Sequence, residues 1–214
     1  RRPFNIKRAN PIGSFLHLKK YPTLLGLVLA VFILYTASHA IQSNWSYFTM
    51  FQFNWDEKMV GISLGAIGLL VGLVQGVLIR WVNPRLGNEK SIYVGMALYS
   101  IGMFLFAFAT ESWMMFLFLI PYCLGGIAGP ALQAIISNQV PASEQGEIQG
   151  TLTSVMSASA IIGPPIMTGI FFYFTNKEAT IIFAGAPFLL AAILMMISSL
   201  LAFYAIKKQR KKKS

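Results

Sequence analysis

Residues 22–48 read PTLLGLVLAVFILYTASHAIQSNWSYF, a run that contains no Asp, Glu, Lys or Arg. About 20 apolar residues in an α-helix span the hydrocarbon core of a bilayer. Further apolar segments follow at residues 58–80, 91–110, 113–136, 148–173 and 180–206. Each is too long for a barrel strand, and none alternates polar with apolar side chains. Backbone groups in lipid must be satisfied internally, so the sequence predicts an all-α polytopic membrane protein with six transmembrane helices.

Composition excludes a water-soluble domain. Only 11% of the 214 residues are charged, against about 25% in typical soluble proteins. The single cysteine, Cys123, lies in an apolar run, where a free thiol behaves as a small hydrophobe. The spans hold no carboxylate pair, no Cys/His cluster and no glycine-rich phosphate loop. The sequence therefore predicts no enzyme activity, no catalytic residue, no metal site and no cofactor.

The basic residues are concentrated in three places. Fifteen of the 17 Lys and Arg residues lie within residues 1–20, 80–90 and 207–213. Cytoplasmic flanks carry such an excess, so both termini are predicted to be cytoplasmic. The chain then divides into a basic linker segment (1–20), a transmembrane bundle (21–206) and a basic tail (207–214). The expected partner is therefore the lipid bilayer. A nucleic-acid partner is not expected, because binding it needs a basic surface, whereas most of these cations lie in the two terminal segments. Interface anchoring is expected of the four tryptophans, Trp45, Trp55, Trp81 and Trp113.

Polar side chains inside spans usually face the bundle interior. In the first span, Tyr35, His39 and Gln42 follow a helical spacing of four and three residues, which places them on one face. They are predicted to line a neutral, polar and aromatic substrate cavity, and hydrogen bonding between helices without a ligand is the alternative. His39 is also a candidate for proton coupling, because histidine titrates near neutral pH; packing is the alternative role. The other predicted cavity residues are Gln75, Tyr99, Tyr122, Gln133 and Ser157.

Glycine and proline mark three spans. In the second span, glycines recur every three or four residues, which keeps them on one face and favours close helix packing. Gly129-Pro130 in the fourth span and Gly163-Pro164 in the fifth predict interrupted helices, which are either simple kinks or parts of a substrate path. The glycines of the second span are Gly61, Gly65, Gly68, Gly72 and Gly76.

The ordered motifs of the chain resemble the C-terminal half of the tetracycline/proton antiporter group of the major facilitator superfamily. The resemblance covers roughly residues 10 to 200. It rests on Asn54-Trp55-Asp56, Gly61-Ile62-Ser63-Leu64, Phe106-Ala107-Phe108-Ala109-Thr110 with Trp113, Gly129-Pro130-Ala131-Leu132-Gln133-Ala134, Gln145-Gly146, Gln149-Gly150 and Gly163-Pro164.

The resemblance implies half of a twelve-helix transporter of the bacterial inner membrane, built as two inverted three-helix repeats. Gly76, Arg80, Arg85 and Gly87 match a basic cytoplasmic loop that commonly holds Asp where this chain has Arg80. The positions of a histidine and an acid of the tetracycline antiporters fall on Val71 and Tyr99. Proton coupling would therefore come mainly from the N-terminal half.

The implied function is efflux of a small, amphipathic, drug-like organic solute by alternating access. The implied partner is an N-terminal six-helix half, which would cover the second and fifth helices. In its absence, a homodimer through those helices is expected. The alternative is a six-helix membrane scaffold or interaction protein without transport activity.

Overall fold

The computed structural model describes residues 22–213, with side chains described for residues 24–210. The predicted linker segment 1–20 lies outside these residues. The described part is helical and contains no strand. Its elements are α1 (Pro22–Phe53), α2 (Glu57–Leu73), a π-helical turn (Val74–Leu78), α3 (Ile79–Ala107), α4 (Ser112–Leu124), a 3₁₀ turn (Gly125–Ile127), α5 (Ala128–Ser137), α6 (Gln145–Thr175) and α7 (Ala186–Lys213).

Helix α1 packs mainly against α7 and α6. Small residues let α1 and α7 approach closely, because a Cβ atom on Gly26 would lie 3.2 Å from the Cβ of Ala205. The Ser198 hydroxyl donates a hydrogen bond to the carbonyl oxygen of Ala30 over 2.7 Å. Such contacts between helices hold a bundle together where lipid removes the usual hydrophobic driving force.

The second and third predicted segments lie in one long helical stretch, Glu57–Ala107. It starts at Asp56, whose carboxylate accepts a hydrogen bond from the Met59 N–H over 2.8 Å. The sequence leaves residues 81–90 between these segments, and the break lies within that interval: the helix continues through Pro84 and breaks at Gly87. Gly87 has φ 75° and ψ 158°, a conformation that only glycine adopts readily. Proline removes one backbone donor but keeps a helical φ, so Pro84 is tolerated.

Five helical stretches in residues 22–213 are long and apolar enough to cross a membrane: Leu24–Phe53, Glu57–Ala107, Ser112–Ser137, Gln145–Thr175 and Ala186–Arg210. The buried fraction can be compared over the most apolar 18 residues of each stretch. It is 56% for Leu24–Phe53, 11% for Glu57–Ala107 and 22% for Gln145–Thr175. The least covered helices are therefore α2 and α6. The predicted bundle ends at residue 206, but α7 continues as a helix through most of the basic tail to Lys213.

Two expectations about individual residues need correction. Trp45 and Trp55 are buried, whereas Trp81 and Trp113 are exposed. The indole N–H of Trp45 donates to the Ser63 hydroxyl over 2.8 Å, so this side chain joins α1 to α2 instead of facing the bilayer interface. The predicted interruption at Gly163-Pro164 is also absent, because α6 runs unbroken through both of its prolines.

Candidate functional site

A polar contact joins α1 to α5 inside the bundle. The Nε2 group of Gln133 donates a hydrogen bond to the Tyr35 hydroxyl over 3.1 Å. Both residues are partly buried. The Tyr35 hydroxyl and the rest of the Gln133 carboxamide can each form further hydrogen bonds. The pair therefore holds two helices together while keeping hydrogen-bonding capacity for another group.

The glycine turn between α4 and α5 gathers further polar groups. A Cβ atom on Gly126 would lie 3.8 Å from the Tyr99 hydroxyl and 4.0 Å from Nε2 of Gln75. A Cβ atom on Gly129 would lie 3.9 Å from the Tyr35 hydroxyl. Gln75 comes from the π-helical turn after α2 and Tyr99 from α3. Three separate segments thus bring polar groups close to the backbone of Gly126 and Gly129.

Tyr99 is held in place by aromatic and backbone contacts. Its ring lies 5.2 Å from the ring of Tyr122 at an interplanar angle of 61°. Tyr122 is buried and its ring lies 5.8 Å from that of Phe106. A Cβ atom on Gly125 would lie only 2.6 Å from Cγ of Tyr99. The Tyr99 ring can therefore occupy this position because residue 125 is glycine.

These contacts unite five of the eight predicted cavity residues. We call them the Tyr/Gln cluster: Tyr35, Gln75, Tyr99, Tyr122 and Gln133. His39 lies one turn beyond Tyr35 but packs against α6, where a Cβ atom on Gly163 would lie 2.6 Å from its Cδ2. Gln75 is an exposed member of the cluster, whereas Gln42 and Ser157 are exposed and lie outside it.

The predicted packing glycines fall into two groups. Gly68, Gly72 and Gly76 have no atom of the described residues within 4 Å of an added Cβ, so their face of α2 is uncovered. Gly129 and Gly163 lie against Tyr35 and His39. Pro130 is exposed and Pro164 is half-buried in α6.

The residues of the predicted basic loop lie around the break at Gly87. Gly76 belongs to the π-helical turn and Arg80 is exposed. The guanidinium of Arg85 lies over the ring of Trp81, 5.5 Å from its centroid, a favourable cation–π contact. The positive φ of Gly87 explains why this loop requires glycine at that position.

Sequence reasoning missed two features of this region. The closest backbone contacts between α3 and the α4–α5 segment are made at Gly95, Gly102 and Gly125. The sequence drew attention instead to the glycines of α2, because they are regularly spaced. The Arg210 guanidinium also pairs with the Glu89 carboxylate. Opposite charges in the loop and the tail were visible in the sequence, but nothing in it placed them together.

Comparison with known proteins identifies the family. Residues 25–214 match the model described as Major Facilitator Superfamily. The chain is 36% identical over 171 residues to the class C tetracycline resistance protein of Escherichia coli, covering 80% of this chain and 43% of that protein. It is 39% identical over 155 residues to the class E protein of Escherichia coli, covering 72% and 38% respectively.

A third relative is the class G tetracycline resistance protein of Vibrio anguillarum, which is 37% identical over 148 residues, covering 69% of this chain and 38% of that protein. The chain thus spans about two-fifths of the length of these curated relatives. The resemblance to the tetracycline resistance group is confirmed. With its long apolar helices, this chain is an integral membrane protein that belongs to the major facilitator superfamily of transporters.

Proposed function

We propose that this chain forms the C-terminal half of a secondary active transporter that exports an amphipathic, drug-like organic solute by alternating access. The observation that carries the proposal is the Tyr/Gln cluster. Its neutral polar groups come from five segments, and those of Tyr35, Gln75 and Tyr99 lie near the backbone of Gly126 and Gly129. Efflux is supported by the relatives, which are named tetracycline resistance proteins.

The chemistry of the cluster favours a particular kind of ligand. Its side chains are three phenols and two carboxamides, which supply donors, acceptors and aromatic faces but no formal charge. Ligand pockets of this type fix orientation with a few polar groups among apolar walls. An organic solute with aromatic rings and hydrogen-bonding substituents can exchange bonds with water for bonds with the cluster. A compact ion would lose its hydration without an opposite charge to replace it.

Six membrane crossings are part of this proposal, and the length of the stretch Glu57–Ala107 supports them. Its 51 residues would extend about 75 Å as one helix, whereas the hydrocarbon core is about 30 Å thick. We place the boundary between two crossings at the break at Gly87. The positive-inside distribution then puts this break, both termini and the α5–α6 connection in the cytoplasm. The arrangement as two inverted three-helix repeats belongs to the same proposal.

The N-terminal half is proposed as the cover for α2 and α6. Both helices leave small residues exposed, and Gly68 of α2 and Gly169 of α6 meet nothing within 4 Å. Small residues allow close helix contact in lipid. Proton coupling is assigned mainly to that half. Within this chain, His39 is the candidate, and its position against α6 would let it respond to movement of that helix.

The transport test uses cells that produce this chain together with the N-terminal half. Gln133→Leu removes the hydrogen bond to Tyr35, and Tyr99→Phe removes a hydroxyl beside Gly126 while keeping the ring. Each is expected to lower the rate of drug efflux about tenfold, which corresponds to roughly 1.4 kcal/mol. The measurements are cellular accumulation of a fluorescent amphipathic drug and the amount of protein in the membrane.

Gln145→Leu is the matched control, because Gln145 is exposed at the start of α6 and lies outside the cluster. Its efflux rate should equal that of the unaltered protein. Normal efflux by both cluster variants would refute the assignment of the site. Absence of efflux from the unaltered protein, with every candidate solute tried, would favour the scaffold interpretation.

A further inference from the structure

A polar cavity of about 480 Å³ lies where the ends of α3, α5 and α7 meet near the break at Gly87. Four carboxamide side chains line it, among them Asn138, Gln139 and Gln209. Its charged lining residues are Glu89, Lys90 and Arg210. This cavity lies at the end of the bundle that carries the basic tail, away from the Tyr/Gln cluster, and the proposed transport function does not use it.

The charges of the cavity leave one cation available. Arg210 binds the Glu89 carboxylate in a fork, with its Nε 3.3 Å from Oε1 and its Nη2 against Oε2. This pair neutralises Glu89 and ties α7 to α3. In the part of the chain that the structure describes, Lys90 has no carboxylate partner. The cavity is therefore lined by an ammonium without a carboxylate partner and by four carboxamide groups, a set suited to an anionic, hydroxyl-bearing ligand.

An apolar groove adjoins this cavity. The groove has a volume of about 760 Å³ and is lined along one side of the α2–α3 stretch by residues that include Leu73, Val77 and Trp81. Leu86 lines both the groove and the polar cavity. A molecule with a polar head and a hydrocarbon chain could occupy both at once. A soluble phosphate would use only the polar part.

We propose that the polar cavity binds the phosphodiester headgroup of an anionic phospholipid from the adjacent leaflet. Lys90 pairs with the phosphate, the carboxamides bond the headgroup hydroxyls, and an acyl chain lies along the apolar groove. Basic pockets between helices at a membrane surface hold anionic headgroups in this way.

The test is native mass spectrometry of the full chain released from nanodiscs that contain equal amounts of phosphatidylglycerol and phosphatidylcholine. The unaltered chain should retain phosphatidylglycerol preferentially. Lys90→Gln removes the unpaired charge, and Gln139→Leu removes a carboxamide without changing the charge. Each should lower the ratio of retained phosphatidylglycerol to phosphatidylcholine about fivefold.

Lys207→Gln is the matched control. Lys207 carries the same charge on the same end of the molecule, but its ammonium lies over the Phe203 ring, 5.7 Å from the centroid, and does not line the cavity. The ratio should stay unchanged in this variant. An equal fall in this ratio for Lys90→Gln and Lys207→Gln would overturn the proposal, because it would indicate a general attraction between anionic lipid and the basic end of the molecule.

An unchanged ratio in Gln139→Leu would also overturn it. A third arm adds glycerol phosphate or inorganic phosphate to the nanodiscs before release. If either soluble anion displaces the retained lipid at concentrations similar to the lipid's own, the cavity takes a soluble phosphate and the lipid assignment is wrong. Persistence of the lipid supports the contribution of the acyl chain in the groove.

Discussion

Position 163 has room for a hydrogen atom and nothing larger. A Cβ atom there would lie 2.6 Å from Cδ2 and 2.9 Å from Cβ of His39. The Cβ of His39 is fixed to the α1 backbone, so rotation of the imidazole alone cannot relieve the clash. The contact therefore limits the side chain at position 163 to a hydrogen atom where α6 meets α1.

We expect Gly163→Ala to destabilise the protein by about 1–3 kcal/mol, because overpacking forces backbone shifts of this cost. Gly169→Ala on the same helix should be neutral, since an added Cβ there meets nothing within 4 Å. Thermal unfolding of the detergent-solubilised chain, followed by circular dichroism, compares the two. Equal midpoints would show that α6 is free to move away from His39.

At the scale of elements, close backbone contacts join α3 to the segment α4–α5. Added Cβ atoms on Gly95 and Gly102 would lie 2.8 Å from backbone atoms of Ala128 and Tyr122. Gly125 completes the interface from the other side, against Tyr99. Close backbone approach through small residues is the usual way in which helices associate in lipid. The 3₁₀ turn at Gly125–Ile127 thus holds the Tyr/Gln cluster together.

Two adjacent glycines of this turn should respond differently to alanine. Gly125→Ala places a Cβ 2.8 Å from the Tyr99 backbone nitrogen, so it should push α3 away and lower the free energy of unfolding by about 1–3 kcal/mol. Gly126→Ala meets its nearest atoms at 3.8 Å, an ordinary contact, and should leave stability nearly unchanged. Chemical unfolding in mixed micelles measures both. A larger loss for Gly126→Ala would contradict the position of Tyr99.

At the scale of the whole molecule, the bundle is covered unevenly. Apolar side chains are exposed along α2 and α6, including Leu69, Leu73, Ile161 and Phe172. Helix α7 also exposes apolar residues such as Met196, but it packs closely on α1 and α3. The glycine face of α2 is different, because its small residues present backbone that suits another helix.

Cysteine crosslinking tests which face meets a partner. Cysteines introduced singly at Gly68 or Ser154 should link to a second polypeptide in membranes at low expression, whereas Met196→Cys on α7 should not. The native Cys123 can remain, because it is buried and cannot reach another chain. The mass of the product distinguishes an N-terminal half, when it is supplied, from a second copy when it is not. Linkage through Met196 alone would place the interface on α7.

All five residues of the Tyr/Gln cluster were selected from the sequence, and their role as a substrate site stays a prediction. Polar side chains within apolar spans identified Tyr35, Tyr99 and Gln133, because such groups are costly in lipid and face the bundle interior. The same reasoning selected Gln42 and Ser157, which the structure leaves exposed and outside the cluster. Helical spacing fixes the face on which a residue lies, but not which neighbour covers that face.

The sequence by itself determined the helical class and the membrane location. Long uncharged runs enter lipid as helices, because a helix pairs all of its own backbone N–H and C=O groups. It also determined the family, through ordered motifs. Only the tertiary structure decided that the loop breaks at Gly87, that Trp45 is buried and that Glu89 meets Arg210. The physical reason is the separation of the interacting residues along the chain. The length and periodicity of an apolar segment are local properties of the sequence. Close approach depends on which side chains remote segments bring to the same point.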